Sequence, residues 1–123
     1  MEITELAALV PHLPEVICST SYGTGALKVR GTMFCRLWGD REHAREGVED
    51  SAVLVVYCEP AEKPQLLARH SGVVFETPHY EGYPNVLLKL ADIDRELLVG
   101  FLEDSYLQKA PATLRRQLGD RSR

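Results

Sequence analysis

Hydrophobic residues along this chain recur at helical spacing in three segments. Residues 3–12 place apolar side chains on one face, which predicts an amphipathic helix that two prolines end. Residues 59–70, with a proline in the first turn, predict a second helix. A third and longer helix is predicted to begin at Asp92 or Asp94, either of which could cap it, and to end near residue 110. Its inner face is predicted to consist of Leu97, Leu98, Phe101, Leu102, Ser105 and Tyr106.

Short runs rich in β-branched and aromatic residues predict strands between these helices. The runs are residues 16–22, 26–30, 33–38, 52–58, 73–76 and 86–91. Hairpin-connected strands with helices grouped outside them are typical of a two-layer α+β fold. We therefore predict a mostly antiparallel sheet of about five strands with helices packed on one face. The chain, 1–123, is predicted to be one domain with a flexible basic tail from about residue 112.

The dipeptide Gly31-Thr32 lies between two predicted strands and predicts a two-residue type II′ hairpin turn. This register places Arg36 on the same face as Val29 and Phe34, where a partly buried arginine needs a carboxylate or carbonyl partner. A three-residue loop would instead gather a basic and aromatic face of the kind that can bind nucleic acid. That face would consist of Lys28, Arg30, Phe34, Arg36 and Trp38. The turn chemistry favours the first register, and a structural ion pair for Arg36.

Two charged segments lie outside the predicted strands. Residues 39–51 are polar and without periodicity, which predicts a long surface loop that is mainly acidic. The chain from residue 107 is basic instead. Its bases are Lys109, Arg115, Arg116, Arg121 and Arg123. Such a tail can contact phosphates, but the simpler interpretation is a solvated helix end followed by a frayed terminus.

The segment Thr77-Pro78-His79-Tyr80-Glu81-Gly82-Tyr83-Pro84 is the most unusual of the chain. Its prolines exclude a helix interior or a central strand, so it predicts a rigid aromatic loop between two strands. The rings of His79, Tyr80 and Tyr83 could stack on an exposed base or line a small-molecule cleft. They could equally pack on the sheet and fix the loop. The sequence does not decide between these alternatives.

The composition is ordinary for a globular protein, with 45% hydrophobic and 26% charged residues. The net charge of −4 argues against a dedicated, high-affinity nucleic-acid-binding protein. We find no signal peptide and no apolar run of the ~18–20 residues that a membrane span needs, so we expect a cytoplasmic protein with no membrane partner. Cys18, Cys35 and Cys58 lack metal or redox spacing and are expected to be buried, reduced thiols.

No catalytic, metal or cofactor site is predicted. The four histidines are scattered, and none has a second histidine four residues away. A catalytic His79 would need a partner such as Ser21, Cys35 or Glu76, and nothing in the sequence places these side chains close to it.

Several short motifs resemble those of one family. They are Ser21-Tyr22-Gly23-Thr24, Lys28-Val29-Arg30-Gly31, Phe34-Cys35-Arg36-Leu37, Thr77-Pro78-His79-Tyr80 and Gly82-Tyr83-Pro84. The chain therefore resembles the MmcQ/YjbR family of small bacterial proteins, and the resemblance covers almost its whole length. The closing helix with Ser105-Tyr106, followed by Ala110-Pro111, fits the same pattern.

The resemblance implies a two-layer fold similar to that of type III secretion chaperones. It also implies DNA binding through a double-wing surface, with no enzymatic activity and no cofactor. The chain departs from the family pattern where basic residues are common. Thr32 stands where many members carry a lysine in the hairpin turn, and Ala112 and Thr113 stand where basic residues often follow the proline. Each departure removes a phosphate contact, so DNA binding is expected to be weaker here.

The first hypothesis is therefore weak DNA binding without sequence preference. The residues expected to contact DNA are Lys28, Arg30, Arg36, His79, Tyr80, Lys89, Arg115 and Arg116. Lys28 and Arg30 could equally be solvated charges on the open face of an antiparallel sheet. A second hypothesis is a protein-interaction module, with a protein partner or a homodimer, by analogy with the chaperones. A third is a small-molecule-binding protein that uses the His79–Tyr83 loop as one wall, with Tyr22 and Tyr83 as ligand contacts.

Overall fold

The computed structural model describes residues 1–121, and the side chains of residues 1–118. A six-stranded antiparallel sheet, in the order β1-β2-β3-β4-β6-β5, forms one layer. Its strands are β1 Val16–Ser21, β2 Thr24–Val29, β3 Thr32–Leu37, β4 Val53–Tyr57, β5 Val74–Phe75 and β6 Asn85–Lys89. The helices are α1 Ile3–Ala8, α2 Asp40–Glu46, α3 Lys63–Arg69, α4 Arg95–Lys109 and α5 Ala112–Arg121. The predicted α+β class is confirmed: each of the six predicted runs forms a strand, and the sheet has six strands where about five were expected.

The main core lies between one face of the sheet and a layer of four helices. Leu6 of α1, Leu102 of α4 and Leu114 of α5 are fully buried there, and α3 packs its half-buried leucines against the same core. The sheet contributes residues such as Leu54 and Leu88. We call the opposite side of the sheet the open face. Among the described residues, no helix has the length and apolar character of a membrane span.

The long helix α4 follows the sequence prediction closely. Asp94 caps it by accepting the Leu97 amide at 2.9 Å. Ser105, which is fully buried, donates to the Phe34 carbonyl and accepts the Tyr57 amide at 2.8 Å. The hydroxyl of Tyr106 donates to the Pro14 carbonyl at 2.8 Å. These bonds fix α4 to strands β3 and β4 and to the segment that precedes β1.

The predicted type II′ turn at Gly31-Thr32 is wrong. Val29 pairs with Thr32, so the two turn residues are Arg30 and Gly31, with φ of 50° and 81°. Two left-handed residues make a type I′ turn, which matches the twist of the strands and favours glycine at its second position. The ion pair between Arg30 and Glu15 fixes the first turn residue, with 2.7 Å between Nε and Oε1.

A β-bulge decides which face Arg36 occupies. Lys28 pairs with Met33 but Leu27 pairs with Cys35, so Phe34 is an extra residue in β3. Phe34 and Cys35 are both buried in the main core, and the next residue, Arg36, therefore lies on the open face. The predicted placement of Arg36 beside Val29 and Phe34 is wrong. The alternative register, with a three-residue loop, is also wrong, because it placed Phe34 on the same face as Arg36. Neither register allowed for the extra residue of the bulge.

The predicted surface loop over residues 39–51 contains α2. This helix buries none of its own residues, which explains why the sequence shows no apolar period there. Contacts outside the helix hold it instead. The carboxylate of Glu42 accepts the Gly39 amide at 3.1 Å and binds Arg36, while Gly47 ends the helix with φ of 72°.

The expected burial of all three cysteines is wrong for one of them. Cys35 and Cys58 are buried, but Cys18 is exposed. β1 is an edge strand, and its side chains are covered less completely than those of the central strands. An apolar run on an edge strand therefore does not imply burial on both sides.

Candidate functional site

A cleft of about 400 Å³ lies on the open face of the sheet, where the aromatic loop approaches β3 and β4. We call it the open-face cleft. It is lined by Tyr22, Met33, Arg36, Arg45, Val55, Tyr57, His79, Tyr80 and Asn85. Its volume is within the range of about 300–1,000 Å³ that is typical of ligand-binding sites.

A second, smaller core supports the cleft from below. Trp38 stacks on Tyr80 with ring centroids 6.3 Å apart and 26° between the planes. The indole Nε1 of Trp38 donates to the Tyr80 hydroxyl at 3.1 Å. Both rings pack with Val53, Val55 and Leu87. Burial raises the pKa of Tyr80, so this hydroxyl stays protonated near neutral pH and can donate to Glu42.

Arg36 and Glu42 form an ion pair with two hydrogen bonds at this site. Arg36 Nη1 lies 2.7 Å from Glu42 Oε1, and Nη2 binds the other carboxylate oxygen. The two side chains are 11% and 15% exposed. Burial opposes the charge on Glu42, but hydrogen bonds from Arg36 and from the Gly39 amide outweigh it, so the pKa of Glu42 lies below its usual value. The ion pair predicted for Arg36 is therefore present, although on the other face.

Tyr22 forms an exposed wall beside this pair. It is 87% exposed at the first position of the β1–β2 turn, with φ of 54°. The guanidinium carbon of Arg36 lies 5.2 Å from the centre of the Tyr22 ring, a cation–π contact. Arg36 thus bridges the carboxylate of Glu42 and an aromatic ring that faces solvent. A ring held in this way is a ready platform for a planar ligand.

Lys63 fixes the aromatic loop from behind. Its Nζ donates to the carbonyls of Tyr80 and Tyr83 at 2.9 Å each and lies 2.8 Å from Glu76 Oε2. The residue is only 8% exposed. The sequence did not identify Lys63, because a lysine in the first turn of a helix is usually solvated.

The aromatic loop has one buried ring and two exposed rings. Tyr80 is buried against Trp38, as the packing alternative predicted, but His79 and Tyr83 are exposed. His79 lies in the wall of the cleft and contacts the Tyr80 ring edge to face at 5.2 Å. Tyr83 is 61% exposed and does not line the cleft.

The structure brings together only part of the predicted DNA-contacting set. Arg36, His79 and Tyr80 line the cleft, as does Tyr22 from the ligand-contact set. Lys28 is half-buried between Ile17 and Met33 at the margin of the same face.

The remaining predicted cations lie outside the open-face cleft. Arg30 binds Glu15 at the hairpin turn, and Lys89 Nζ lies 3.1 Å from Asp50 Oδ2. Arg115 and Arg116 are exposed on α5, which packs on the helical side through Leu114. Arg123 and the side chain of Arg121 lie outside the described residues. The predicted cations therefore do not form one continuous surface in the described part of the chain.

The sequence did not identify three polar residues of the cleft. Arg45 lies on α2, which was predicted as a loop, and its Nε lies 2.8 Å from Glu46 Oε2. Asn85 is buried and donates to the Val56 carbonyl at 3.3 Å. The ammonium group of Lys109 lies 4.0 Å from the centre of the Tyr57 ring. The alternation of β4 could have placed Tyr57 on the face of Val55, but nothing in the sequence signals Arg45.

Aromatic rings and guanidinium groups converge on the cleft. Two of the groups considered as partners of His79 are held away from it. Glu76 binds Lys63, and Cys35 lies in the main core on the other side of the sheet, where burial raises its pKa to about 12. No group of three or more potential metal ligands occurs among residues 1–121.

Comparison with known proteins supports the fold and gives a family. A sequence model of the YjbR family matches residues 12–108. Mycobacterium tuberculosis Rv2570 and Mycobacterium bovis Mb2600, both named as uncharacterized proteins, are each 43% identical to this chain over 49 residues. The matched segment is 40% of this chain and 38% of each of those curated relatives, so it spans well under half of their length.

The fold is also similar to that of a solved structure. The crystal structure of Deinococcus radiodurans protein DR2400, which carries the family-model domain DUF419, superposes with a TM-score of 0.68 at 19% identity. The superposition covers 96% of this chain and 88% of that chain.

Proposed function

Because this chain belongs to the YjbR family and carries the open-face cleft, we propose that it is a non-catalytic binding protein for single-stranded nucleic acid. The ligand is held weakly and without sequence preference. The observation that carries the proposal is the convergence of exposed Tyr22 and His79 with Arg36 and Arg45 in one cleft. Stacking on an aromatic ring contributes about 1–3 kcal/mol per base and tolerates any base, whereas guanidinium groups attract phosphate.

A single strand fits this surface better than a duplex. Duplex binding relies on many phosphate contacts from free cations, and Arg30, Arg36 and Lys89 are each held by a carboxylate. The exposed pairs are individually weak, at about 0–1 kcal/mol, so a phosphate can replace one carboxylate partner. Arg36 is nearly buried against Glu42, whereas the Arg45 side chain is 47% exposed, so Arg45 is the cleft cation that a phosphate can reach. With this one contact we expect a salt slope of roughly −0.7 for a single strand.

The size of the cleft favours a second candidate of the same chemistry, a free nucleotide. A volume of about 400 Å³ is large enough to hold one base with its phosphate. A nucleotide would use the same Tyr22, His79 and Arg45 side chains. The two ligands differ in how affinity changes with length, because a strand gains from contacts outside the cleft and a mononucleotide does not.

The test is a titration followed through two signals. Trp38, the single tryptophan of the chain, lies beneath the cleft and reports on its occupation, and the anisotropy of a labelled oligonucleotide reports binding directly. Oligothymidine, a duplex of mixed sequence and a mononucleotide are compared at about 50 and about 200 mM salt.

Tyr22→Ala and Tyr83→Ala form the matched pair of variants, since both rings are exposed but only Tyr22 lines the cleft. Loss of one base-stacking contact should weaken binding by about fivefold or more in Tyr22→Ala and leave Tyr83→Ala near wild type. Equal effects of the two variants, or no binding of any of these ligands at low salt, would overturn the proposal.

A further inference from the structure

The outer edge of β1 is an unprotected strand edge. β1 is the first strand of the sheet order, so no strand pairs with its outer side among residues 1–121. Its sequence, Val16–Ser21, contains no charge and no proline. The other edge of the sheet, β5, is only two residues long. Edge strands of monomeric proteins are usually short, charged, bulged or covered, whereas β1 has six residues, no charge and an unbroken register with β2.

The hairpin that joins β1 to β2 determines which backbone groups face outward. Its turn residues, Tyr22 and Gly23, have φ of 54° and 79°, so Ser21 and Thr24 form the closing hydrogen-bonded pair. Hydrogen-bonded and non-bonded pairs then alternate along β1. The amides and carbonyls of Val16, Cys18 and Thr20 therefore point away from the sheet.

We propose that β1 pairs with β1 of a second copy of this chain, antiparallel, about a two-fold axis at Cys18. The outward-facing residues are spaced symmetrically about Cys18, so the edge is complementary to itself. Val16 would pair with the partner's Thr20, and Cys18 with the partner's Cys18, giving about six backbone hydrogen bonds. The result is one continuous sheet through both copies.

The side chains and charges at this edge fit a second copy. Ile17 is 60% exposed on the open face, and the register places it opposite the partner's Ser19 and within about 7–8 Å of the partner's Ile17, so each isoleucine is covered by the other copy. The chain carries a net charge of −4, which would repel copies that meet through acidic surfaces. Of the charges near β1, Glu15 and Arg30 neutralise each other, and Lys28 lies on the inner side of β1, beside Ile17.

The oligomeric state in the absence of any ligand tests the pairing. Sedimentation velocity over a range of concentrations should show a dimer. Cys18→Pro removes the outward amide without touching the inner bonds to β2, and Cys18→Ser is its matched control. The proline variant loses two backbone hydrogen bonds per dimer, so it should associate at least about tenfold more weakly than the serine variant. Thermal melts establish that each variant is folded.

Two further measurements keep the test decisive if Cys18→Pro fails to fold. Ile17→Lys places like charges at the pairing edge while leaving every backbone group intact, and it should also shift the chain to monomer. A short bismaleimide reagent should link the two copies of wild type through Cys18, because Cys35 and Cys58 are buried. A monomeric wild type, a dimer that persists in Ile17→Lys, or a dimer without a Cys18 crosslink would each overturn the proposal. None of these outcomes depends on whether the cleft binds nucleic acid.

Discussion

Replacement of Lys63 by methionine tests whether one buried cation holds the aromatic loop in place. The change keeps the length of the side chain but removes the ammonium group, which donates to the Tyr80 and Tyr83 carbonyls and lies 2.8 Å from Glu76. Breaking a buried ion pair by removing one partner usually costs about 3–5 kcal/mol. Because Glu76 is 29% exposed and can recover part of its hydration, we expect Lys63→Met to lower the free energy of unfolding by about 3 kcal/mol.

The assay is urea unfolding followed by the fluorescence of Trp38, which stacks on Tyr80 and so reports on the loop. Lys89→Met is the matched control, since the Lys89–Asp50 pair is more exposed and should contribute less than about 1 kcal/mol. Adding Glu76→Gln to Lys63→Met should restore part of the loss, because the unpaired charge is then removed. If Lys63→Met and Lys89→Met lost the same small amount of stability, the anchoring role of Lys63 would be refuted.

Two further substitutions test the supports of the cleft, and a third tests the turn between β2 and β3. Glu42 has a folded-state pKa below its unfolded value, so its stabilising contribution is present above the unfolded pKa and is lost as the pH falls through the folded one. Glu42→Gln should therefore flatten the acid side of the stability profile, and an unchanged profile would contradict this. Tyr80→Phe leaves the Trp38 indole without its acceptor and should lower the free energy of unfolding by about 1–3 kcal/mol, with an altered Trp38 emission. Gly31→Ala, at φ of 81°, should cost about 1–2 kcal/mol in urea unfolding, whereas equal stability would show that the turn relaxes.

The elements that the sequence predicted well are those whose burial is periodic. α4 buries Leu98, Phe101, Leu102, Ser105 and Tyr106 on one side, and the helical spacing of these residues is visible without any knowledge of the fold. Strand β4 is buried on both faces and reads as a continuous apolar run. In both cases the local pattern and the tertiary environment agree, so the sequence is sufficient.

The failures occur where tertiary contacts decide the local structure. α2 has no buried residue of its own and is held by the contact between Glu42 and Arg36. The bulge at Phe34 changes the face of Arg36, and a single inserted residue leaves no signature in a hydrophobic pattern. Cys18 is exposed because β1 lies at the edge, and strand order cannot be obtained from the run of residues alone.

The sequence predicted several residues of the candidate site, but not which of them lie together in the structure. The aromatic loop was recognised from its prolines and rings, and the sequence left open whether those rings bind or pack. Both alternatives describe part of the loop, since Tyr80 packs on Trp38 while His79 remains exposed in the cleft. The residues that decide which rings pack are far apart in the chain. Trp38 and Tyr80 are separated by 42 positions, and Lys63 contacts the loop from α3.

The cleft and the β1 edge are separate surfaces that meet at the β1–β2 turn, because Tyr22 belongs to the cleft wall and directly follows the edge strand. In a dimer paired through β1, the two clefts would lie on the same side of one continuous sheet. A mononucleotide would occupy each cleft independently, so its affinity should not depend on dimerisation. A strand long enough to reach both clefts would gain from the effective concentration of the second site. Dependence of affinity on both ligand length and the β1 pairing would therefore connect the two proposals, whereas dependence on neither would leave the cleft as a nucleotide site.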